Sequence, residues 1–199
     1  MFEFIDKVVY INLEHRTDRK EQIEKELQKY FPNEKIQRFN AIKHQRGNIG
    51  CTQSHIAILE MAIKENWSNY LVVEDDAIWS NFDKGYSLLE VLTKNNYDVI
   101  QLGSTYTQYD KNTYKTTKAW TTTAYIVQQK YYNTLLENFK EGLYFLTQTG
   151  IGPRFAIDVY MGILQKRDNW YAIVPSLMIQ SEGYSDIEKA VIDNGRYFS

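Results

Sequence analysis

Short apolar runs, separated by segments with helical spacing, constrain this chain most. Val8–Leu13, Tyr70–Val73 and Asp98–Leu102 are brief and rich in Val, Ile and Leu, which is how buried strands read; Ile36–Ala41, with Gln37, Arg38 and Asn40 in it, is a weaker strand candidate. After the first run, Ile23, Leu27 and Tyr30 recur on one helical face, with Asp18 and Glu21 spaced as a capping box and Pro32-Asn33 as a stop. Gly47–Gly50 marks a turn, and a second helix is expected from about Thr52 to Asn66, with Ile56, Leu59 and Ile63 inward. A third helix is expected over Phe82–Lys94 through Leu88, Leu89 and Leu92. This β-α-β-α-β-α-β alternation predicts an α/β fold with a mostly parallel sheet and helices on both faces.

The character changes after Gly103. Thr105–Thr123 is rich in Thr, Tyr and Lys and reads as an exposed hairpin or irregular insert. Ala124–Val127 returns to the sheet, Tyr131–Phe139 is a helix, and Gly142–Pro153 is a loop. Arg154–Gln165 is helical and Tyr171–Val174 is a late strand before Pro175. With no repeat or linker, the expectation is one domain over residues 1–199, with the C-terminal third building over the strand tips.

The third strand carries the chemistry. Tyr70-Leu71-Val72-Val73 runs directly into Glu74-Asp75-Asp76. Three adjacent carboxylates repel one another unless something neutralises them, and hard divalent cations such as Mg²⁺ and Mn²⁺ prefer carboxylate and phosphate oxygens. Ligands of open α/β sheets bind beyond the carboxyl ends of the strands. The triplet therefore suggests a metal–phosphate site at a strand tip; the plainer alternative is a solvated acidic turn.

Composition narrows the class. Hydrophobic residues make up 43% of the chain, which excludes disorder. A net charge of −2 implies no polyanion-binding surface, hence no nucleic-acid partner. The 16 tyrosines suit sugar or peptide contacts, because the ring pairs an apolar face with a polar tip, although most are expected simply to fill strands. A single cysteine, Cys51, excludes an internal disulfide and fits a reducing, cytoplasmic setting. The acidic N-terminus reads as neither signal peptide nor membrane anchor, and no transmembrane segment is expected.

Other polar groups fall after the strands. Asn12, Arg16 and Arg19 follow the first, and an arginine fork there suits phosphate or a carboxylate. Gly103 follows the fourth. Ser54-His55 looks like a catalytic pair only superficially, because adjacent helical residues point about 100° apart; a capping serine and a packed histidine is the sober reading. Neither Cys51 nor His15, His44 and His55 shows metal-finger spacing. No Gly-x-Gly-x-x-Gly and no phosphate-binding P-loop is present. Asp158, set in Phe155-Ala156-Ile157-Asp158-Val159-Tyr160, is a candidate general base, since desolvation raises a carboxyl pKa toward the working range. Gln180, Ser181, Ser185 and Asp186 form a polar segment able to close over a ligand.

Together these residues resemble glycosyltransferase family 25. The resemblance lies in Val9–Leu13 with Arg16, Asp18 and Arg19; in Gly50-Cys51-Thr52-Gln53-Ser54-His55; in the strand ending Glu74-Asp75-Asp76; and in Gln101-Leu102-Gly103. It continues loosely through Thr123-Ala124-Tyr125, Asp158, Pro175, Gln180 and Ser185-Asp186-Ile187. It implies a GT-A fold and inverting transfer of galactose or glucose from a UDP-sugar with Mn²⁺ or Mg²⁺. The implied acceptor is a glycan, lipooligosaccharide or collagen-like hydroxylysine. Residues 1–103 would form the nucleotide-sugar half and residues 104–199 the acceptor side. Carried over, Asp76 and then Glu74 would hold metal. Asn12, Leu13, Arg16, Arg19, Ser54, His55, Glu74, Asp75, Gly103 and Gln180 would meet the donor. Asp158 would act as base, with Asp186 next in line. The Thr105–Thr123 insert and the Tyr144–Arg154 loop follow no family pattern and are expected to choose the acceptor. A nucleotidyltransferase and an inactive sugar- or peptide-binding module remain rival readings.

Overall fold

The computed structural model describes residues 1–185, 190–192 and 198. In chain order the elements are β1 (Lys7–Asn12), α1 (Thr17–Gln28), β2 (Ile36–Asn40), α2 (Gly47–Lys64), β3 (Asn69–Glu74), β4 (Ala77–Trp79), α3 (Phe82–Leu92), β5 (Val99–Tyr109) and β6 (Thr116–Gln128). They continue as α4 (Tyr132–Thr149), α5 (Gly152–Phe155), α6 (Ile157–Tyr160), α7 (Gly162–Arg167), β7 (Trp170–Ala172), β8 (Met178–Gln180), β9 (Gly183–Ser185) and β10 (Ala190–Ile192). Among the described residues, six strands form the central sheet in the order β2-β1-β3-β6-β5-β7. All run the same way except β6, which is antiparallel to both β3 and β5. The sheet is thus mostly parallel, as the alternation predicts.

Period-two alternation splits the core. Val8, Tyr10, Leu71, Val73, Ile100 and Leu102 pack one face against Ile23 and Leu27 of α1 and Leu89 and Leu92 of α3. Val9, Tyr70, Val72, Val99, Tyr125 and Val127 pack the other against Ile58 and Leu59 of α2, Leu135 and Phe139 of α4, and Ile157 and Leu164 beyond them. Successive strand side chains alternate faces, so each strand cements two helical layers.

Several local expectations are corrected. Gly47–Gly50 is not a turn but the first turn of α2. Gly50 sits in the helix because a Cβ there would come within 2.3 Å of the Ile42 carbonyl oxygen; its role is close approach, not chain reversal. Asp18 does not cap α1, since its carboxylate is taken by the Arg16 guanidinium at 3.0–3.1 Å. Ile63 lies outward at 38% exposure, and Ile58 and Ala62 take the core positions. The expected 142–153 loop is mostly helix: α4 continues because Leu146 packs with Ile49 and Phe155, and it stops at Gly150, whose φ is +73°. The expected 154–165 helix is broken: extended backbone at Ala156 separates α5 from α6, and α6 gives way to α7 at Met161, whose backbone stays helical. The Thr105–Thr123 segment is the distal part of the long β5–β6 hairpin, with bulges along its pairing. The late strand ends at Ala172 rather than Val174. The short β4–β8 pair gives no apolar run long enough to read. No helix among the described residues is long and apolar enough to cross a membrane.

Candidate active site

The tips of β1 and β3, the start of α1 and the face of α2 enclose a cavity of about 400 Å³. Register explains the contacts. Ile11 pairs with Glu74, so Asn12 stands next to Asp75. Buried Asn12 donates its amide to Asp75 Oδ2 at 2.8 Å and to the Arg16 carbonyl at 2.9 Å, and its oxygen accepts from Arg38 Nε at 3.0 Å. Asn12 thereby fixes Asp75 rather than lining the cavity.

Arg19 reaches back from α1 over the acidic tip. Its Nη1 lies 3.0 Å from both Asp75 Oδ1 and Asp76 Oδ2, and its Nη2 donates to the Tyr184 carbonyl at 2.8 Å. Arg16 also donates to the Tyr184 carbonyl, at 3.2 Å. Glu74 accepts from the Thr122 hydroxyl at 2.6 Å and from Gln180 Nε2 at 2.8 Å. Asp76 Oδ1 is buried with no hydrogen-bond partner.

The electrostatics follow from enclosure. Burial, then repulsion from Asp76, raises the Glu74 pKa to about 7. Burial raises Asp76 to about 6, against the opposing pull of Arg19. These carboxyls hold protons well above the usual range unless a cation arrives. An orphaned buried oxygen beside two further carboxylates fits a hard divalent ion; Asp76, with Glu74, would hold it.

The other expected site residues divide. Leu13, Ser54, His55 and Gln180 line the cavity. Ser54 is neither cap nor nucleophile. In the middle of α2, its hydroxyl donates to the Gly50 carbonyl and accepts from the Ile42 amide, pinning the 41–46 loop to the helix. His55 is buried; its Nδ1 lies 2.8 Å from the Tyr125 hydroxyl and its Nε2 has no partner. Burial lowers its pKa to about 3. Gly103 lies under the Met178 carbonyl, which a Cβ would approach to 2.2 Å, so its place is in packing. Asp158 opens α6, half-buried, and its Oδ2 accepts from the Thr121 amide at 3.3 Å. Burial raises its pKa. Asp158 and Glu74 both lie near enough to Cys51 to push its thiol up, after burial itself. Asp186 lies outside the described residues.

Two features escape sequence reasoning. The 41–47 loop, with His44, forms one cavity wall, and His15 contributes another part; neither sits in a recognisable motif. Cys51 joins His55 and Glu74, with one ligand atom of each within 4.8 Å of the others. The signal for that pair was the i, i+4 spacing of Cys51 and His55, which places both on one helix face.

The model of glycosyltransferase family 25, described as LPS biosynthesis protein, matches residues 45–152, more than half of the chain. The chain belongs to glycosyltransferase family 25. Membership makes it a glycosyltransferase and agrees with the acidic strand tip. A comparison with curated proteins gives no match. Among solved structures, this family 25 chain is similar to a glycosyltransferase involved in glycosylation of the major capsid of PBCV-1, with a TM-score of 0.55, 11% identity, and coverage of 87% of this chain and 92% of that one. It is also similar to a mannose-1-phosphate geranyltransferase from Thermus thermophilus, with a TM-score of 0.48, 13% identity, and coverage of 84% and 72%. The first likeness supports the GT-A type of fold.

Proposed function

We propose that this glycosyltransferase transfers a hexose, galactose or glucose, from a UDP-sugar to a hydroxyl of a glycan acceptor with inversion, using Mn²⁺ or Mg²⁺. The observation that carries this reading is the orphaned Asp76 Oδ1 beside Glu74 and Asp75 on the wall of a roughly ligand-sized cavity. When bound, the divalent ion offsets the charge that develops on the departing diphosphate. Arg19 and Arg16 stand where a nucleotide crossing the β1 tip would pass. Asp158 takes the proton of the acceptor hydroxyl as that oxygen bonds to the anomeric carbon and the UDP oxygen leaves. A carboxyl with its pKa raised by burial suits that proton transfer better than an exposed one.

The family description favours a lipopolysaccharide-type acceptor over a collagen-like one, and cytoplasmic synthesis is the corresponding setting. A panel of UDP-sugars with Mn²⁺, scored for UDP release without acceptor, tests the reading and names the sugar. Pyrophosphate release in place of UDP would indicate a nucleotidyltransferase. Donor binding without turnover, in the presence of acceptor glycans, would indicate an inactive binding module.

A further inference from the structure

We propose that Cys51, His55 and Glu74 form a zinc site with an open coordination position facing the cavity. One ligand atom from each lies within 4.8 Å of the other two. A tetrahedral zinc holds such sulfur, nitrogen and oxygen donors roughly 3.5 Å apart, so small rotamer adjustments close the set. Cys51 and His55 stand one turn apart on α2, and Glu74 ends the strand that this helix packs against.

The second observation is the state of His55. The residue is 1% exposed, and its Nε2 has no hydrogen-bond partner. An unpaired buried polar atom costs on the order of 1–3 kcal/mol, so an orphan of this kind in a polar cavity points to a missing ligand. Nδ1 faces the Tyr125 hydroxyl at 2.8 Å, and the two rings stack with centroids 5.6 Å apart. With the proton on Nδ1 donated to Tyr125, Nε2 presents its lone pair, which is how a metal-bound imidazole is held by its outer partner. Glu74 is likewise aimed by Thr122 and Gln180, and each of its oxygens keeps a further lone pair.

The donor chemistry distinguishes this site from the one at Asp76, with which it shares Glu74. A thiolate and an imidazole with one carboxylate select zinc over Mg²⁺ or Mn²⁺. The Asp76 tip offers oxygen alone. Cys51 does not suit a nucleophile's role, because burial and two nearby carboxylates keep it a thiol; zinc supplies the positive charge that the thiolate lacks. Three protein donors and a cavity at the fourth position describe a site that can accept water or an anionic ligand.

The test uses the full chain, stripped of metal, with no nucleotide and no acceptor, so it stands apart from the donor reading. Co²⁺ serves as the optical probe, and Zn²⁺ affinity is read by competition with a chromophoric chelator. The expected result is a near-ultraviolet thiolate-to-cobalt band that is lost in Cys51→Ser and retained in Asp76→Asn. Tyr125→Phe keeps the ligands but removes the outer hydrogen bond, and should weaken Zn²⁺ roughly 10–100-fold. Circular dichroism of each metal-free variant checks folding. If Cys51→Ser unfolds, Tyr125→Phe alone decides. No cobalt band in the wild-type chain, Zn²⁺ affinity unmoved by either substitution, or loss of the band in Asp76→Asn with Cys51→Ser unaffected would overturn the proposal.

Discussion

Arg19 Nη1 lies 3.0 Å from Asp76 Oδ2, in the position that a cation bound to the acidic tip would contest. The same guanidinium also pairs Asp75 and holds the Tyr184 carbonyl. An internal cation at that point opposes a divalent ion but welcomes a diphosphate. Arg19→Ala should therefore bind Mn²⁺ alone more tightly and UDP–Mn²⁺ more weakly, the latter by roughly 1.5–3 kcal/mol for a lost charge-assisted contact. Calorimetry with metal alone and with metal plus UDP checks both signs. Equal affinities in the two experiments would return Arg19 to a purely structural role.

Asp76→Asn should abolish metal-dependent UDP binding while leaving the fold intact. The substitution keeps the shape of the side chain but removes the charge that holds a hard cation. Its orphaned Oδ1 makes no contact to lose, and an asparagine amide oxygen in the place of Oδ2 can still accept from Arg19 Nη1, which lies 3.0 Å away. Titration with UDP, with and without Mn²⁺, measures this. Retained metal-dependent affinity would move the ligand assignment to Glu74 and Asp75.

Metal affinity should climb with pH. Glu74 and Asp76 carry pKa values of about 7 and 6, so below pH 6 a metal must displace their protons. Apparent Mn²⁺ affinity should rise between pH 5.5 and 7.5 and level off above. The sign for stability is the reverse. Both folded pKa values lie above the unfolded ones, so the folded metal-free chain binds more protons between about pH 4.5 and 7 and loses stability as pH rises through that window. Glu74→Gln should flatten that loss. Melting temperatures of both proteins across pH 4.5–8 give the comparison; parallel curves would refute it.

Gly103→Ala should destabilise the chain without touching the site. An added Cβ meets the Met178 carbonyl oxygen at 2.2 Å, and backbone cannot yield as a flexible side chain does. Overpacking of this kind costs roughly 1–3 kcal/mol, a fall in Tm of roughly 2–12 °C for a chain of this size. Thermal unfolding checks it. A variant as stable as the wild type would show that β8 shifts freely away from β5.

How far the sequence carried depends on the range of the forces involved. The β1, β3 and β5 strands, the helices between them and the acidic tip were legible because each is a local pattern of burial or charge. The antiparallel insertion of β6 between β3 and β5 was not, since pairing partners are chosen by tertiary packing rather than by local period. Gly50 misled because glycine marks both turns and close approaches, and only the opposing Ile42 carbonyl tells which. Asn12 was read as a ligand contact because strand-end polar groups often are; the parallel register with β3 instead spends it on Asp75. The Cys51–His55–Glu74 cluster needed a helix and a strand to meet, and neither segment alone announces that.

Asp158→Asn carries the mechanism. The residue opens α6 in a half-buried position, its pKa is raised chiefly by desolvation, and the Thr121 amide fixes one oxygen. Asparagine keeps the volume and most of the hydrogen bonding but cannot take a proton. The effect should therefore fall on kcat, by roughly 10²–10⁴-fold, with the dissociation constant for UDP–Mn²⁺ unchanged. The remaining activity should also lose the lower limb of its pH profile, because that limb reports ionisation of the base. Steady-state kinetics over a pH range, beside calorimetric donor binding, separates the possibilities. A variant that binds donor poorly yet turns over normally at saturation would make Asp158 a binding residue and send the search for the base to Asp186.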